Sequence, residues 1–466
     1  MTRHTTSRRE LLKYSGAAVG TLAFGSHVAG AARSGPAANR FVVDTKEAGR
    51  NAFEGTDLTV THDLDAIDAA VVRGAEDEVA SVTDAYAPDV RISRNEPVER
   101  VGPDAHEEDG SEESLYEYQW DKQVQDIREV HEETRGEQTR VAVIDSGVAA
   151  DHPDLAHAVN EDLSRNFTAD NYGAAGPYGG YHGTHVAGIV AAGDNDFGVL
   201  GSAPETEVVD CRVFSTGPYA YWGDILAAML YSAEIGADAA NLSLGAYPVS
   251  REGYGSFYGK VLNRTTTYID RQGTLLVMSA GNDSADLQHD TPYCYENDAG
   301  ETVCLNPISV PNEAASVMSV SATGPIGFEW GDDGVEDSPK SPAFYTNYGT
   351  NAVNVGAPGG DADLSALGNY GGAAYHDLVL STIAVPSYGD DGEYEGAEYG
   401  YGYAAGTSMA APQVTGAAAL VKSSAADLNA NQVQNALEQT ASVPDGYDKA
   451  YYGHGFVDPL GAVQSR

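Results

Sequence analysis

Beyond Gln138 the chain carries a series of short apolar runs: Val141 to Asp145, Val208 to Phe214, Ala239 to Leu244, Thr274 to Ala280, Val317 to Ala322 and Ala352 to Gly356. Helical stretches such as Asp224 to Ile235 fill the gaps between them. Runs that are hydrophobic at successive positions belong to strands covered on both faces, and strands alternating with helices build a parallel sheet. The predicted fold class is therefore α/β, a three-layer arrangement around a mostly parallel central sheet, with site-bearing loops at the strand ends. No stretch reaches the roughly 18 consecutive apolar residues of a membrane helix, so no permanent membrane association is expected.

The N-terminal third reads differently. Ser7-Arg8-Arg9-Glu10-Leu11-Leu12-Lys13, a moderately apolar Gly- and Ala-rich stretch, and then Ala29-Gly30-Ala31 have the order of an export signal. Paired arginines before a weak hydrophobic region resemble a twin-arginine address, so residues 1–31 are assigned to a signal peptide and the mature protein to the extracellular medium. Residues 40–101 alternate short β-type runs (Phe41 to Val43, Leu58 to Val60, Ala69 to Val72, Val90 to Ile92) with one amphipathic stretch from Glu76 to Tyr86. That pattern predicts a small α+β unit. Residues 102–113 are acidic, contain Gly and Pro and lack periodicity, as an exposed linker with a processing site would. The remaining residues, 114–466, form the main domain.

Charge narrows the function classes. With 69 acidic and 26 basic residues the formal net charge is −43, which disfavours nucleic acid as a partner. Self-repulsion on this scale opposes compaction, and salt near 1 M, with a Debye length of about 3 Å, removes most of it. A salt-adapted surface is the expectation. Of the 3 cysteines, Cys294 and Cys304 flank a polar, Gly-containing loop and are expected to form one disulfide, whereas Cys211 lies in an apolar strand and reads as a buried free thiol.

Three motifs carry chemistry. Arg140-Val141-Ala142-Val143-Ile144-Asp145-Ser146-Gly147 is a buried strand that ends in a carboxylate and a glycine turn. In His182-Gly183-Thr184-His185-Val186-Ala187-Gly188 the first histidine opens a helix of small residues, where the positive helix end disfavours imidazolium and keeps the ring available as a base. His185, one turn on, reads as a packed histidine. The pair lacks the i, i+4 spacing and glutamate of a zinc-protease helix. In Gly406-Thr407-Ser408-Met409-Ala410-Ala411-Pro412 a serine stands at a helix N-terminus, with the helix itself expected from Gln413 to Ala426 and Pro412 in its first turn. There the serine's own N–H and the helix dipole would stabilise a developing oxyanion.

Together these motifs resemble the three signatures of the subtilase family, and their order, Asp then His then Ser, agrees. The resemblance continues through Asn241-Leu242-Ser243-Leu244-Gly245 and Ser279-Ala280-Gly281-Asn282, so it spans Leu115 to the C-terminus. It implies a subtilisin-like fold and a secreted serine endopeptidase, closest in appearance to the halolysin-like subtilases of salt-loving archaea. By the same resemblance Ser408 is the nucleophile, His182 the general base, Asp145 the carboxylate that orients it, and Asn282 with the Ser408 N–H the oxyanion hole. Ser243, Leu244, Gly245, Ser279, Ala280 and Gly281 would bind the substrate polypeptide. Asp283 beside them would bias the pocket toward basic or polar side chains.

The family also implies that residues 40–101 are a propeptide, acting as folding assistant and transient inhibitor until the enzyme removes it. No cofactor is implied for catalysis, and a monomer is expected. A structural calcium site maps onto Asp154, Asn195 and the carbonyls of Phe197 and Val199, with Glu113 as a further ligand. Two other readings compete. One is a catalytically silent relative acting as a binding protein, which the presence of Asp145, His182, Ser408 and Asn282 together opposes. The other is an α/β-hydrolase esterase, which the missing G-x-S-x-G elbow and the triad order oppose.

Overall fold

The computed structural model describes residues 39–49, 51–93, 97–100, 114–217, 219–289, 292–296, 301–330, 335–366 and 371–466. The signal peptide at 1–31, the linker at 102–113 and Glu113 lie outside the described residues.

The expected α+β unit is present. Strands β1 (Arg40–Asp44), β2 (Thr59–Leu64), β3 (Ala69–Arg73) and β4 (Tyr86–Pro88) form an antiparallel sheet in the order β2-β3-β1-β4, with helix α1 (Glu76–Val82) beside it. Alternation along β1 and β3 divides the side chains. Phe41, Val43, Ala70 and Val72 close a small core with Val79, while Val42 and Val71 join a core they share with the main domain. The end of this region pairs outside the unit's own sheet. β5 (Arg91–Ser93) pairs with β10 (Tyr219–Tyr221), and β6 (Val98–Arg100) pairs with the end of a hairpin strand at Tyr403–Ala405. Both are edges of the main domain, so backbone groups at 91–93 and 98–100 are satisfied outside their own sheet.

The central sheet has seven parallel strands: β7 (Arg140–Asp145), β8 (Arg165–Asn166), β9 (Glu207–Arg212), β11 (Ala239–Leu242), β13 (Leu275–Ser279), β17 (Met318–Thr323) and β18 (Val355–Pro358), in the order β18-β17-β13-β11-β7-β9-β8. On one face Val141, Val143 and Val208 pack against α2 (His182–Ala191), α5 (Thr407–Ser424) and α6 (Ala430–Thr440). On the other Ala142, Ile144 and Val209 pack against α3 (Trp222–Glu234) and α4 (Tyr254–Gln272). This is the predicted three-layer fold, and its continuous apolar runs follow from the two covered faces. Two boundaries moved. β18 starts at Val355 because Ala352 and Val353 donate to Gly349 O in a turn. β11 ends at Leu242, and Ser243 to Gly245 continue beyond it.

The helix that carries Ser408 also starts earlier than predicted. It begins at Thr407, so Pro412 lies in its second turn, where it leaves Ser408 O without an intrahelical donor. The Ser243 hydroxyl donates to that oxygen at 2.7 Å. Preceding this helix is a long hairpin, β19 (Val379–Tyr388) and β20 (Tyr394–Ala405). It accounts for the Tyr- and Gly-rich run from Tyr388 to Tyr403. Tyr388 and Tyr394 pack against Tyr172 and Tyr178, and the Tyr388 hydroxyl donates to Tyr178 O. Two smaller pairs, β12 (Ala246–Ser250) with β16 (Pro307–Val310) and β14 (Tyr293–Glu296) with β15 (Thr302–Leu305), complete the described sheets. Cys294 and Cys304 stand opposite each other in the second pair and are disulfide-bonded, and Cys211 is a buried free thiol.

Candidate active site

Asp145 is the last residue of β7 and His182 the first of α2. Both are fully buried, and His182 Nδ1 lies 2.8 Å from Asp145 Oδ1 and 3.0 Å from Oδ2. An ionised carboxylate only accepts, so Nδ1 carries the proton and the lone pair falls on Nε2. The turn after Asp145 is tight. A Cβ on Gly147, whose φ is +107°, would sit 2.1 Å from Gly176 O, so only glycine fits. Ser146 ties this turn to the histidine helix, since its N–H donates to Asp145 Oδ1 at 2.6 Å and its hydroxyl accepts from Gly183 N at 2.9 Å. Sequence reasoning gave Ser146 no role, although its place inside the Asp-Ser-Gly signature was the available signal.

Ser408 occupies the first turn of α5, is 4% exposed, and its hydroxyl donates to Ser243 O at 3.4 Å. α5 packs against α2, so the helices that carry Ser408 and His182 share one buried face. Asn282 lies just past β13. Its Oδ1 accepts from Thr407 N at 2.9 Å and from Thr407 Oγ1 at 2.8 Å, and Thr407 Oγ1 in turn accepts from Gly281 N at 3.0 Å. These bonds fix the amide with its carbonyl toward Thr407 and its nitrogen turned the other way. Thr407 thereby orients Asn282, a part the sequence reading did not assign.

The stretch around Ser279, Ala280 and Gly281 is held from behind by Asn347. Its Oδ1 accepts from Asp283 N and Ala285 N at 2.9 Å each, and its Nδ2 donates to Ala280 O at 2.9 Å. Asp283 is exposed over the residue as a whole, but its carboxylate accepts from Asn347 Nδ2 at 3.3 Å, and burial of that carboxyl pushes its pKa up to about 6. Across the sheet, Leu244 is buried while Asn241 Nδ2 donates to Ser243 Oγ at 2.9 Å, which anchors the backbone from Ser243 to Gly245.

His185 is, as expected, a packed histidine. Its Nε2 pairs with Gly402 O at 3.0 Å, and burial, followed by the neighbouring His182, pulls its pKa down to about 3. On the adjoining strand Arg212 is buried and holds Asp170 through two bonds of 2.8 and 2.7 Å. Burial opposes ionisation of Asp170, but the guanidinium overrides it and keeps the carboxyl below the usual range. This pair fixes the loop that leads to His182.

The calcium residues are brought together in part. Asp154 is fully buried, and its carboxylate accepts from Val199 N at 3.0 Å, Tyr401 Oη at 3.0 Å and Asn195 Nδ2 at 3.3 Å. All three donors are neutral, and burial raises its pKa. A buried carboxylate held only by neutral donors is a group that a hard cation would stabilise.

The sequence profile of the Subtilase family matches residues 136–455. The chain belongs to the subtilase family. It is 28% identical over 332 residues to subtilisin DY of Bacillus licheniformis, covering 71% of this chain and 92% of that protein. It is 26% identical over 337 residues to thermitase of Thermoactinomyces vulgaris, covering 71% and 90%. Among solved structures, the epidermin leader peptide processing serine protease of Staphylococcus aureus covers 91% of this chain and 98% of its own with a TM-score of 0.67. Its 19% identity makes that a likeness of fold. This subtilase is a serine endopeptidase of the subtilisin type, and its substrates are polypeptides. Among the described residues no helix is long and apolar enough to cross a membrane.

Proposed function

We propose that this subtilase cleaves peptide bonds through Asp145, His182 and Ser408, and that it is an exported, self-processing precursor adapted to salt. The observation that carries the catalytic part is the buried Asp145–His182 bond, on a helix packed against the one that holds Ser408 in its first turn. Ser408 Oγ attacks the substrate carbonyl carbon while its proton passes to His182 Nε2. Asp145 accepts from Nδ1 throughout and stabilises the imidazolium. The oxyanion is met by the Ser408 N–H and by the Asn282 amide nitrogen that Thr407 turns toward it. His182 then gives its proton to the leaving amine, and water hydrolyses the acyl-enzyme by the same relay in reverse. Ser243 to Gly245 and Ser279 to Gly281 bind the substrate's extended backbone on either side, which favours broad sequence tolerance.

The two strands that leave the small N-terminal unit support self-processing. β5 lies on β10, and β6 lies on the last residues of β20, immediately ahead of Ser408. In this reading the first cut falls in the acidic linker at 102–113 that follows β6. The unit is seated on α3 and α4: Arg40 pairs with Asp224 and, at 2.6 Å, with Asp89, and Arg264 holds Asp44 at 3.0 Å. Such a unit would serve as the transient inhibitor. Calcium, when bound by Asp154, Asn195 and the carbonyls of Phe197 and Val199, would neutralise a buried charge and cross-link the 193–199 loop. The twin-arginine signal assigns the mature monomer to the extracellular medium, and the net charge of −43 aligns it with halolysin-like relatives.

The test is mass spectrometry of the culture-medium protein after a serine-directed phosphonate label, alongside Ser408→Ala. A label on Ser408, a mature N-terminus in or next to the 102–113 linker, and an unprocessed, inactive Ser408→Ala chain are expected. Cleavage and processing that persist in Ser408→Ala would overturn the assignment.

A further inference from the structure

Asp210 lies on β9 in register with Val143, two residues before the pair Asp145 and Arg212. It is fully buried, yet among the described residues no lysine or arginine bonds its carboxylate. Instead Oδ2 accepts from Val148 N at 3.0 Å and from Ala175 N at 3.1 Å. Val148 belongs to the turn that follows Asp145, and Ala175 to the loop that runs into His182. Its Oδ1 has no hydrogen-bond partner among the described residues. A buried carboxyl with an unused oxygen is expensive, and hydrophobic side chains surround it on the same strand. Two backbone N–H groups from different segments would otherwise be left without acceptors, which explains why a polar group stands there.

We infer that Asp210 is a positioning residue for the Asp145–His182 pair, stapling the Asp145 turn to the loop that delivers His182. The inference rests on the catalytic reading above. Gly147 and Gly176 approach so closely that the turn and the loop have a single way to pack, and Asp210 bonds both of them next to that contact. A slip here changes where Asp145 presents its oxygens to Nδ1, which matters to turnover more than to substrate binding.

The staple also carries charge. Burial pushes the Asp210 carboxyl up to about 7; Arg212 opposes the rise and Asp145 adds to it. The charged groups around it are Asp145 on β7, Arg212 on its own strand, and Asp170, which Arg212 holds. Above neutrality Asp210 is ionised and stands as a second negative charge beside the pair, favouring the imidazolium form of His182.

The experiment compares Asp210→Ala, Asp210→Asn and Ser408→Ala by kcat, KM and the pH profile of kcat/KM on a peptide amide. Asp210→Ala should lose about 10- to 100-fold in kcat with KM within about two-fold. Asp210→Asn keeps an acceptor oxygen for Val148 and Ala175 and should recover kcat to within about three-fold. Its acid limb should move down by about half a pH unit, because one negative charge near His182 is gone. If Asp210→Ala does not accumulate as folded protein, Asp210→Leu, which fills the space without an acceptor, decides in its place through kcat. A kcat within two-fold of the parent in the variant that lacks the acceptor overturns the inference. Activity remaining in Ser408→Ala would instead overturn the catalytic reading, so the two failures are distinct.

Discussion

The Ser243 hydroxyl donates to the carbonyl oxygen of Ser408 at 2.7 Å, the oxygen that Pro412 leaves without a helical donor. One bond therefore repairs the helix that carries Ser408 and fixes to it the start of the stretch from Ser243 to Gly245, which is proposed to bind substrate. Asn241 completes the chain by donating to Ser243 Oγ at 2.9 Å.

Replacing Ser243 by Ala leaves a buried carbonyl unsatisfied, which costs about 1–3 kcal/mol. Ser243→Thr keeps the hydroxyl and should cost less. Urea unfolding is best measured in a Ser408→Ala background, where autolysis is silent and the backbone carbonyl concerned is unchanged. Equal stability of Ser243→Ala and its parent would show that water or another donor replaces the hydroxyl.

Thr407 acts on the oxyanion side. Its N–H and hydroxyl both hold Asn282 Oδ1, so Thr407→Val removes one of the two bonds that aim the amide and the acceptor for Gly281 N. A fall of about 10-fold in kcat with KM nearly constant is expected, against about 10²–10³ for Asn282→Ala. Because Thr407 works through Asn282, the double variant should be little worse than Asn282→Ala alone. Full additivity of the two losses would mean that Thr407 acts on the substrate by a separate route.

Lys122 makes stability depend on alkaline pH. Its ammonium is fully buried and donates to Ile189 O at 2.9 Å on α2, to Ser202 Oγ at 2.9 Å and to Gln413 Oε1 at 2.7 Å on α5, with Asp121 at 3.4 Å. Burial lowers its pKa from 10.5 to about 8, against the pull of Asp121. Between these values the folded chain binds fewer protons than the unfolded one, so this group's contribution to stability rises with pH through that window. The penalty is fully present below about pH 8 and gone above about 10.5, at most about 3 kcal/mol in all. Lys122→Met should remove this slope in a series of urea titrations across the window, and an unchanged slope would exclude Lys122 as its source.

Which parts of this were legible beforehand follows from how each is encoded. The sheet was readable because strands buried on both faces leave uninterrupted apolar runs, and β7, β9 and β13 fall within a residue or two of their predicted ends. The Asp145–His182 bond and the bonds of Asn282 to Thr407, the neighbour of Ser408, join residues that short signatures mark in the sequence. Asp210, Arg212 and Thr407 were not singled out, because each acts through backbone or side-chain groups distant in sequence. The start of α5 was misplaced because Pro412 reads as a first-turn residue until Ser243 is seen to replace its missing donor. The fates of β5 and β6 were invisible for a similar reason: a three-residue edge strand carries no periodicity of its own, and its partner is chosen by the fold.

The charge balance sets the last expectation. A net charge of −43 on 466 residues is repulsive over the whole surface, and only ions within a few ångströms screen it effectively. Raising KCl from about 0.1 M to about 3 M should therefore raise the melting temperature of the phosphonate-inhibited enzyme steadily, and dialysis to low salt should abolish its near-UV circular dichroism. Sucrose strengthens burial by exclusion without screening charge, so it separates the two causes. If sucrose rescues the fold at low salt as fully as KCl does, self-repulsion is not what limits it. If neither is needed and the dichroism persists for days at low salt, the acidic surface serves solubility alone.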